Sequence, residues 1–503
     1  RCAQNGFENS WNVREGSRVK ALERARGGYK PVETLADKET HVAFALYLFY
    51  LVSFFLRLPA RLPILGLIRL DFLLVGIICF FIFSSKATKG SRLDDASKYL
   101  LAIFLYSIFT LPLVEWPGSV VNNGMVAFIK GAIFYFFTVN LITNEKRLKI
   151  LIIVFVGCNL IRVLEPLLLN ITTGYLGSRT YLGSGEFAGR LAGGPFDTVN
   201  PNGLAFVIAT IVPFLHYVYG PSSKKAFAIY LLLIPLLLYT MLLTLSRSGI
   251  LALGIIALGI WLKSTHKLML MVIGVLGLAV IFMNLNDVQK DRYLSIVSDD
   301  ARQSGSASGR IDGWTTDFKV AFNRPIIGHG LGTSREANWN VAGKDQISHI
   351  LWAEIWQEIG LIGLVLFILY LNAMIRNFRE AGRMIKSRLP ESDFLNRSLQ
   401  AMQVWLLMNL LFSLASYGLK SYEWYLFGGL SVVLLNMVQK RLKDEDPTSE
   451  ENASVQAPKF PLANRLQRRS GNKIQRPRSL SVKRPGEGSR QISSGGLHGQ
   501  DPS

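Results

Sequence analysis

Long stretches of the chain run without charge or polar interruption. Apolar runs recur at 41–56, 64–84, 98–114, 120–142, 148–168, 202–219, 226–245, 248–263, 267–285, 350–375, 399–417 and 422–438. They approach the ~20 residues that cross a bilayer as a helix, and they lack the period of two that marks a half-buried strand. Backbone polar groups in lipid must be satisfied internally, which runs rich in Leu, Ile and Phe achieve as helices rather than as a barrel. The pattern predicts an all-α polytopic membrane protein with about twelve transmembrane helices. Residues 1–40 are polar and charged, so no signal peptide starts there. No small-residue cleavage site follows the run His41–Phe55, which reads as the first membrane helix.

Charge enters in the loops, and it alternates. Lys86, Lys89, Arg92 and Lys98, then Lys146, Arg147 and Lys149, then Lys224 and Lys225, then Lys263 and Lys267, and finally Arg376, Arg379, Arg383, Lys386 and Arg388 fall on one side of the span count. An excess of Lys and Arg marks the cytoplasmic side. The expectation is therefore a multi-pass protein of the cytoplasmic (inner) membrane with both termini inside. The opposite side, periplasm or cell exterior, receives "VEWPGSVVNN", the loop Thr172–Pro201, the link Ser246–Gly249 and a loop over about 286–349 between the ninth and tenth helices. Loops of that length are usually functional or disordered. Here Ile311, Trp314, Phe318 and Phe322 recur at helical spacing after Ser308 and before Pro325, which predicts an amphipathic helix against the membrane surface.

Composition adjusts this picture in three places. The 503 residues carry 55 Lys and Arg against 35 Asp and Glu, a formal net charge of +20. Nucleic acid is the wrong partner to infer from it, because the same excess accompanies loops held beside anionic membrane lipid. After Gln439 the chain turns to Pro, Ser, Gly, Arg and Lys, predicting a disordered basic cytoplasmic tail over 439–503 behind a membrane domain spanning 41–438. The three cysteines, Cys2, Cys79 and Cys158, have no CxxC spacing and fit neither a disulfide framework nor a zinc site.

Four segments project to the external face. They are "TLSRSG" with Arg247; "GRLAGGPFDTVNPNG" with Arg190, Asn200 and Asn202; "SGRIDGW" with Arg310 and Trp314; and "GHGLGTS" with His329, followed by "SHILWAEIWQEIGLIG" with His349 and Glu358. Taken singly, each has an ordinary structural reading. Arg247 snorkels at a helix end with Ser246 and Ser248 as caps, Asn200-Pro201-Asn202 starts a helix, Glu358 is a buried hydrogen-bonding partner, and Gly360 and Gly363 let helices pack closely. Together they place three arginines and a histidine on one side of a membrane, in a chain with no paired loop carboxylates, no HExxH, no Cys/His metal set and no Walker loop. Guanidinium groups stay charged and grip phosphate oxygens bidentately, and a histidine accepts a proton near neutral pH. This is equipment for displacing a diphosphate leaving group with neither metal nor cofactor.

In this order and spacing, "PFDTVNPNG", "TLSRSG", "SGRIDGW", "RPIIGHGLGTS" and "SHILWAEIWQEIGLIGL" resemble the O-antigen ligase and polymerase superfamily over roughly 190–364. The resemblance implies an inverting membrane glycosyltransferase of cell-envelope polysaccharide biosynthesis. It would move a glycan from an undecaprenyl diphosphate donor to a hydroxyl on a lipid or glycan acceptor. It implies Arg247 and Arg310 as diphosphate ligands, Arg190 as a third, and His349 as the group that orients or deprotonates the acceptor. Asn200, Asn202, Trp314 and Glu358 complete the expected substrate site. One departure stands out: where the family usually follows the histidine with asparagine, this chain has Ile350. The competing reading is a transporter or flippase of an anionic lipid-linked glycan. It calls for polar residues through the membrane, and the runs carry few beyond Arg69, Asp71, Lys130, Arg162 and Glu165. The absence of an obvious internal repeat also counts against the common transporter plans.

Overall fold

The computed structural model describes residues 35–84, 93–183, 186–269, 305–348, 350–390, 393–414 and 418–445, with isolated positions between 271 and 290. Short turns aside, the helices among the described residues are, first, α1 (Leu35–Leu56), α2 (Leu70–Ser84), α3 (Asp95–Phe109), α4 (Val126–Leu141), α5 (Glu145–Thr173), α6 (Pro201–Phe214), α7 (Lys224–Leu243) and α8 (Arg247–Lys263). Then follow α9 (Gly305–Asn323), α10 (Ser334–Ala342), α11 (Leu351–Arg388), α12 (Phe394–Phe412) and α13 (Tyr422–Glu445). Eleven of the expected apolar stretches contain one of these helices, and the ninth, 267–285, lies largely outside the described residues. The segments Pro117–Leu141, Glu145–Thr173, Pro201–Ser222, Lys224–Leu243 and Leu351–Lys386 are long and apolar enough to cross a membrane, and Thr40–Leu56 and Leu70–Ser84 are shorter apolar helices. The protein is thus an all-α membrane protein. Helix α13 continues to Glu445, into the segment expected as tail, and the rest of that segment lies outside the described residues.

Local chemistry sets the helix starts. Asp94, Asn144, Asn200, Ser223, Ser246 and Asp393 each accept a backbone N–H of the first turn of α3, α5, α6, α7, α8 and α12, satisfying donors that a helix leaves orphaned. Gly174, at φ 71°, ends α5 in a left-handed cap. Inside the bundle the helices meet through aromatic rings. Trp405 of α12 stacks on Phe427 of α13 with centroids 3.5 Å apart, and Tyr422 packs against Phe54, Phe55 and Phe134. Small residues allow the approach of α13: a Cβ at Gly131 of α4 would lie 2.9 Å from the Lys420 carbonyl oxygen.

The loops contain two elements that hydrophobic period alone did not indicate. Within Thr172–Pro201 an antiparallel hairpin forms from β1 (Gly177–Gly183) and β2 (Glu186–Leu191), with Tyr181 beside Phe187 and Arg190 opposite Ser178. After α9 comes the short helix α10. Helix α9 itself begins at Gly305, so Ser308 lies inside it instead of capping it. Its Asp317, Val320 and Ala321 are buried, and Phe318 and Phe322 set their rings against Trp356 of α11, so the amphipathic face turns toward this helix.

One break organises the region. Gly360 leaves helical geometry at φ 66°, ψ −173°, so α11 is two helical pieces joined at a kink. The break frees the carbonyls of Gln357 and Glu358, which accept the N–H groups of His329 at 2.7 Å and Gly330 at 2.9 Å, while Leu361 N–H donates to the Pro325 carbonyl at 2.8 Å. The "GHGLG" turn is thereby laced into the helix. Expected as a packing position, Gly360 is instead a conformational requirement: a Cβ there would stand 2.1 Å from the Ile326 carbonyl oxygen. Gly363 faces its own Ile359 side chain rather than another helix. Replacing Gly360 with alanine is expected to lower stability by about 2 kcal/mol or more, through the unfavourable φ and the backbone clash. Gly254→Ala, whose Cβ meets nothing within 4 Å, is expected to leave the thermal unfolding midpoint in detergent unchanged. Equal midpoints for the two variants would contradict the role assigned to the break.

Candidate functional site

The loop between β2 and α6, the link between α7 and α8, and the starts of α11 and α13 gather at one end of the bundle. Buried charges fasten them there. Arg162 of α5 donates to Asp197 at 2.8 Å, Arg61 holds Glu165 with both nitrogens of its fork, and Arg57 donates to Thr198 Oγ1 at 3.0 Å. Arg162 and Glu165, which interrupt an apolar run in the sequence, serve here to pin the short helical turn Leu58–Arg61 and the loop 194–198 to α5. Asp71 likewise accepts from Ser53 at 2.7 Å.

The "TLSRSG" turn is the most tightly specified piece. Thr244, Leu245 and Ser246 are buried, and Leu245 is held at φ 49°, a left-handed conformation unusual for a non-glycine residue. Arg190, buried on β2, donates from Nε to the Thr244 carbonyl at 2.8 Å and from Nη2 to Asn202 Oδ1 at 2.7 Å. Asn202 Oδ1 also accepts from Ser246 Oγ at 3.0 Å, and Ser246 Oγ caps α8 by accepting from Gly249 N at 3.1 Å. Arg190, Asn202 and the Arg247 turn are therefore one network. Arg247 occupies the first position of α8, half-buried, at the helix end where the dipole is positive. Asn200 stands aside from this network as the cap of α6, accepting from Gly203 N at 2.8 Å.

A second group surrounds the start of α11. Residue His349 lies outside the described residues, but its neighbours on both sides are fixed. Ser348 Oγ donates to Asp317 Oδ2 at 3.0 Å, Leu351 N–H donates to the Ser413 carbonyl at 3.2 Å, and Trp352 Nε1 donates to Ser413 Oγ at 3.1 Å. The end of α12 links the groups, because Phe412, beside Ser413, stacks on Phe206 one turn beyond Asn202. Arg310 sits on α9 with its side chain outside the described residues. One turn further on, Trp314 is half-buried with its Nε1 enclosed and without a hydrogen-bond partner among the described residues.

Glu358 faces a different neighbour from the arginine turn. Fully buried, it accepts from Gly332 N at 2.7 Å and Lys420 Nζ at 2.9 Å, and Glu354 accepts from Gly418 N at 2.7 Å and Leu419 N at 2.9 Å while lying 3.3 Å from the same ammonium. Burial pulls the Lys420 pKa down, but the two carboxylates outweigh it and hold it above the ordinary lysine value. His329 is also fully buried, with Nδ1 3.0 Å from Glu115 Oε2, Nε2 3.2 Å from the Val320 carbonyl and its ring against Trp116. Both of its nitrogens are occupied in fastening the glycine-rich turn. Sequence reasoning missed Lys420, Glu354, Asp317 and Glu115. The Glu354–Glu358 spacing of four residues on one helix face was the available signal for the first pair.

The fold and this end together define a polytopic helical membrane protein whose candidate chemistry sits on loops at one end of the bundle. Residues 204–368 match the family model described as O-antigen ligase, which supports a resemblance of this part of the chain to the O-antigen ligase-type superfamily. The matched stretch contains Arg247, Arg310, His349 and Glu358, with Arg190, Asn200 and Asn202 just ahead of it. Among curated proteins, none matches the chain. A chain from a solved structure, described as structural coordination of polymerization and crosslinking by a peptidoglycan synthase complex, is similar at 17% identity over 69% of this chain and 97% of its own, with a TM-score of 0.37. A likeness that loose carries no argument about activity.

The Lys420 cluster makes a stability prediction. Lys420→Met leaves Glu354 and Glu358 buried without their shared cation and is expected to cost about 3–5 kcal/mol. Adding Glu358→Gln is expected to recover part of the loss in thermal unfolding. A Lys420→Met variant that melts with the wild type would remove the cluster from the account of this end.

Proposed function

We propose that the protein is an inverting membrane glycosyltransferase that moves a glycan from a polyprenyl (undecaprenyl) diphosphate to a hydroxyl of a lipid or glycan acceptor, as an O-antigen ligase or polymerase does. The observation that carries this reading is the network in which Arg190, Asn202 and Ser246 fasten the turn presenting Arg247 at the first position of α8. An arginine at a helix N-terminus, carried on a turn that is held by buried partners and by a residue in a strained conformation, is placed to meet phosphate oxygens. Arg190 spends its donors on that turn, so its part is to position Arg247 more than to contact the diphosphate itself.

In this reading Arg247 and Arg310 bind the diphosphate, and His349, which follows Ser348 in the sequence, serves the acceptor. The acceptor oxygen attacks the anomeric carbon and its proton passes to His349. The new glycosidic bond forms as the bond from that carbon to the diphosphate oxygen breaks, and the bond's electron pair leaves with the polyprenyl diphosphate. The arginines stabilise the charge gathering on the leaving group, which supplies the larger share of the rate enhancement without a metal ion. Trp314 offers a ring face for a sugar, Asn202 supports the arginine turn, and Asn200 and Glu358 act at a distance from it by fixing the start of α6 and the glycine-rich turn. The end bearing this group faces the periplasm or cell exterior across the cytoplasmic membrane, with the Lys- and Arg-rich end and both termini in the cytoplasm.

The test supplies purified protein with a lipid-diphosphate oligosaccharide and an acceptor, and reads new glycosidic linkage by mass spectrometry. Arg247→Lys, Arg310→Lys and His349→Ala are each expected to slow transfer by roughly 100-fold, with lysine keeping charge but losing the planar fork. Full turnover by all three variants would sink the mechanism. Movement of intact donor across proteoliposome membranes with no new linkage would favour a flippase.

A further inference from the structure

The opposite end of the bundle holds a second group of cations. On the last turns of α11, Arg379, Arg383 and Lys386 follow one another at intervals of four and three residues, so they share one face of the helix. Asn396, Gln400 and Gln403 repeat the same intervals on α12. Together with Lys263 at the end of α8, these residues line a crevice of about 510 Å³. Lys263 Nζ donates to Gln403 Oε1 at 2.6 Å. No acidic residue lines the crevice among those described, and Arg379, Arg383 and Lys386 make no ion pair among the described residues.

Neighbouring cations at the same end behave otherwise. Arg376 pairs with Asp95, and Arg441 lies 3.0 Å from both Glu145 and Asp393. Cations scattered at a helix end serve the dipole and face the headgroups individually. These converge instead on one open crevice, opposite amide side chains, and leave one another's repulsion uncompensated. An occupant with two or more anionic oxygens would relieve it.

We infer that this crevice binds the phosphate headgroup of an anionic phospholipid. The arginines suit phosphate bidentately, the amides suit ester and glycerol oxygens, and half-buried Leu389, backed by buried Ile385 and Leu399, gives the wall an apolar side against which the start of an acyl chain can rest. A free phosphate shares the charge recognition but has no use for that apolar side. The site stands at the end of the bundle away from Arg247, and it depends on no step of the transfer reaction.

Native mass spectrometry of the full chain, released from detergent with added phosphatidylglycerol, phosphatidylcholine or inorganic pyrophosphate, tests the inference. Wild type is expected to retain phosphatidylglycerol in preference to phosphatidylcholine, with pyrophosphate failing to displace it at equal concentration. At about 1 kcal/mol for each basic residue, removing three charges in Arg379→Gln/Arg383→Gln/Lys386→Gln is expected to weaken retention by tenfold or more. Gln400→Trp fills the crevice while keeping every charge and is expected to weaken it as well. Lys224→Gln/Lys225→Gln, which removes charge at the same end but outside the crevice, is expected to bind as wild type. Equal retention of the two lipids, displacement by pyrophosphate, or undiminished binding by both crevice variants would each overturn the proposal.

Discussion

The break in α11 at Gly360 is the constraint on which the site end depends. A helix inside a membrane bundle normally keeps its carbonyls to itself, because unsatisfied peptide groups in a low-dielectric interior cost several kcal/mol. At Gly360 the helix gives up this self-sufficiency, and the Gly328–Gly330 segment takes its place by donating to Gln357 and Glu358. The exchange determines three things at once. It fixes where the chain from α9 rejoins the bundle, buries His329 between Glu115 and Val320, and aims the Glu358 carboxylate at Lys420 and Gly332. The same turn reaches α4's leading segment, where a Cβ on Gly124 would lie 1.8 Å from the Leu331 carbonyl oxygen. Positive φ at Gly328, Gly330, Gly332 and Gly360 makes this close lacing possible.

Buried charge at the same end follows from the same economy of polar groups. Arg162 with Asp197 and Lys420 with Glu354 and Glu358 lie where loops cover the helices; Asn159 Oδ1 accepts a further bond from Arg162, and the N–H groups of Gly418, Leu419 and Gly332 donate to the two glutamates. Such clusters contribute little net stability compared with a well-packed apolar core, but an arrangement that separates the partners is strongly disfavoured. Their effect is to admit one docking of the loops. That restriction reaches the Arg247 turn through Asp197, whose loop leads into α6, and through Arg190, whose strand leads into that loop.

Helices were legible because lipid-length apolar runs leave little alternative, and the capping residues Asn200 and Ser246 are where the sequence pattern puts them. The clustering of Arg190, Asn202 and Arg247 was legible only as shared membrane side; their hydrogen bonds required the tertiary structure. Elsewhere the sequence misled for identifiable reasons. The β1–β2 hairpin is short, and its alternation of Tyr181 and Phe187 against small residues spans too few positions to outweigh a loop reading. Gly360 sits within a run whose hydropathy is continuous, so nothing in the apolar period announces the kink; the paired glycines of "GHG" upstream supply the reason only once the two segments meet. Helix α9 starts before Ser308 because Gly305–Ala307 continue the turn, although a serine ahead of an apolar periodicity has the form of a cap.

Arginines occupy both ends of the bundle, yet their surroundings differ in a way that suits the two different phosphate roles proposed for them. At the site end Arg190 is buried with neutral acceptors fixed by backbone and cap geometry, and Arg247 rides on a turn that cannot shift without breaking them. Rigid placement lowers the reorganisation required when charge develops on a leaving group, which is the condition for electrostatic catalysis. At the other end Arg379, Arg383 and Lys386 are exposed along the outside of a helix, with long side chains free to adapt to an occupant. Adaptable cations accommodate a diffusing headgroup but hold no single geometry, so they are poorly suited to stabilising one transition state. The difference lies in what surrounds each guanidinium rather than in the count of charges, and it is why a net charge of +20 says little about chemistry until each arginine has been placed.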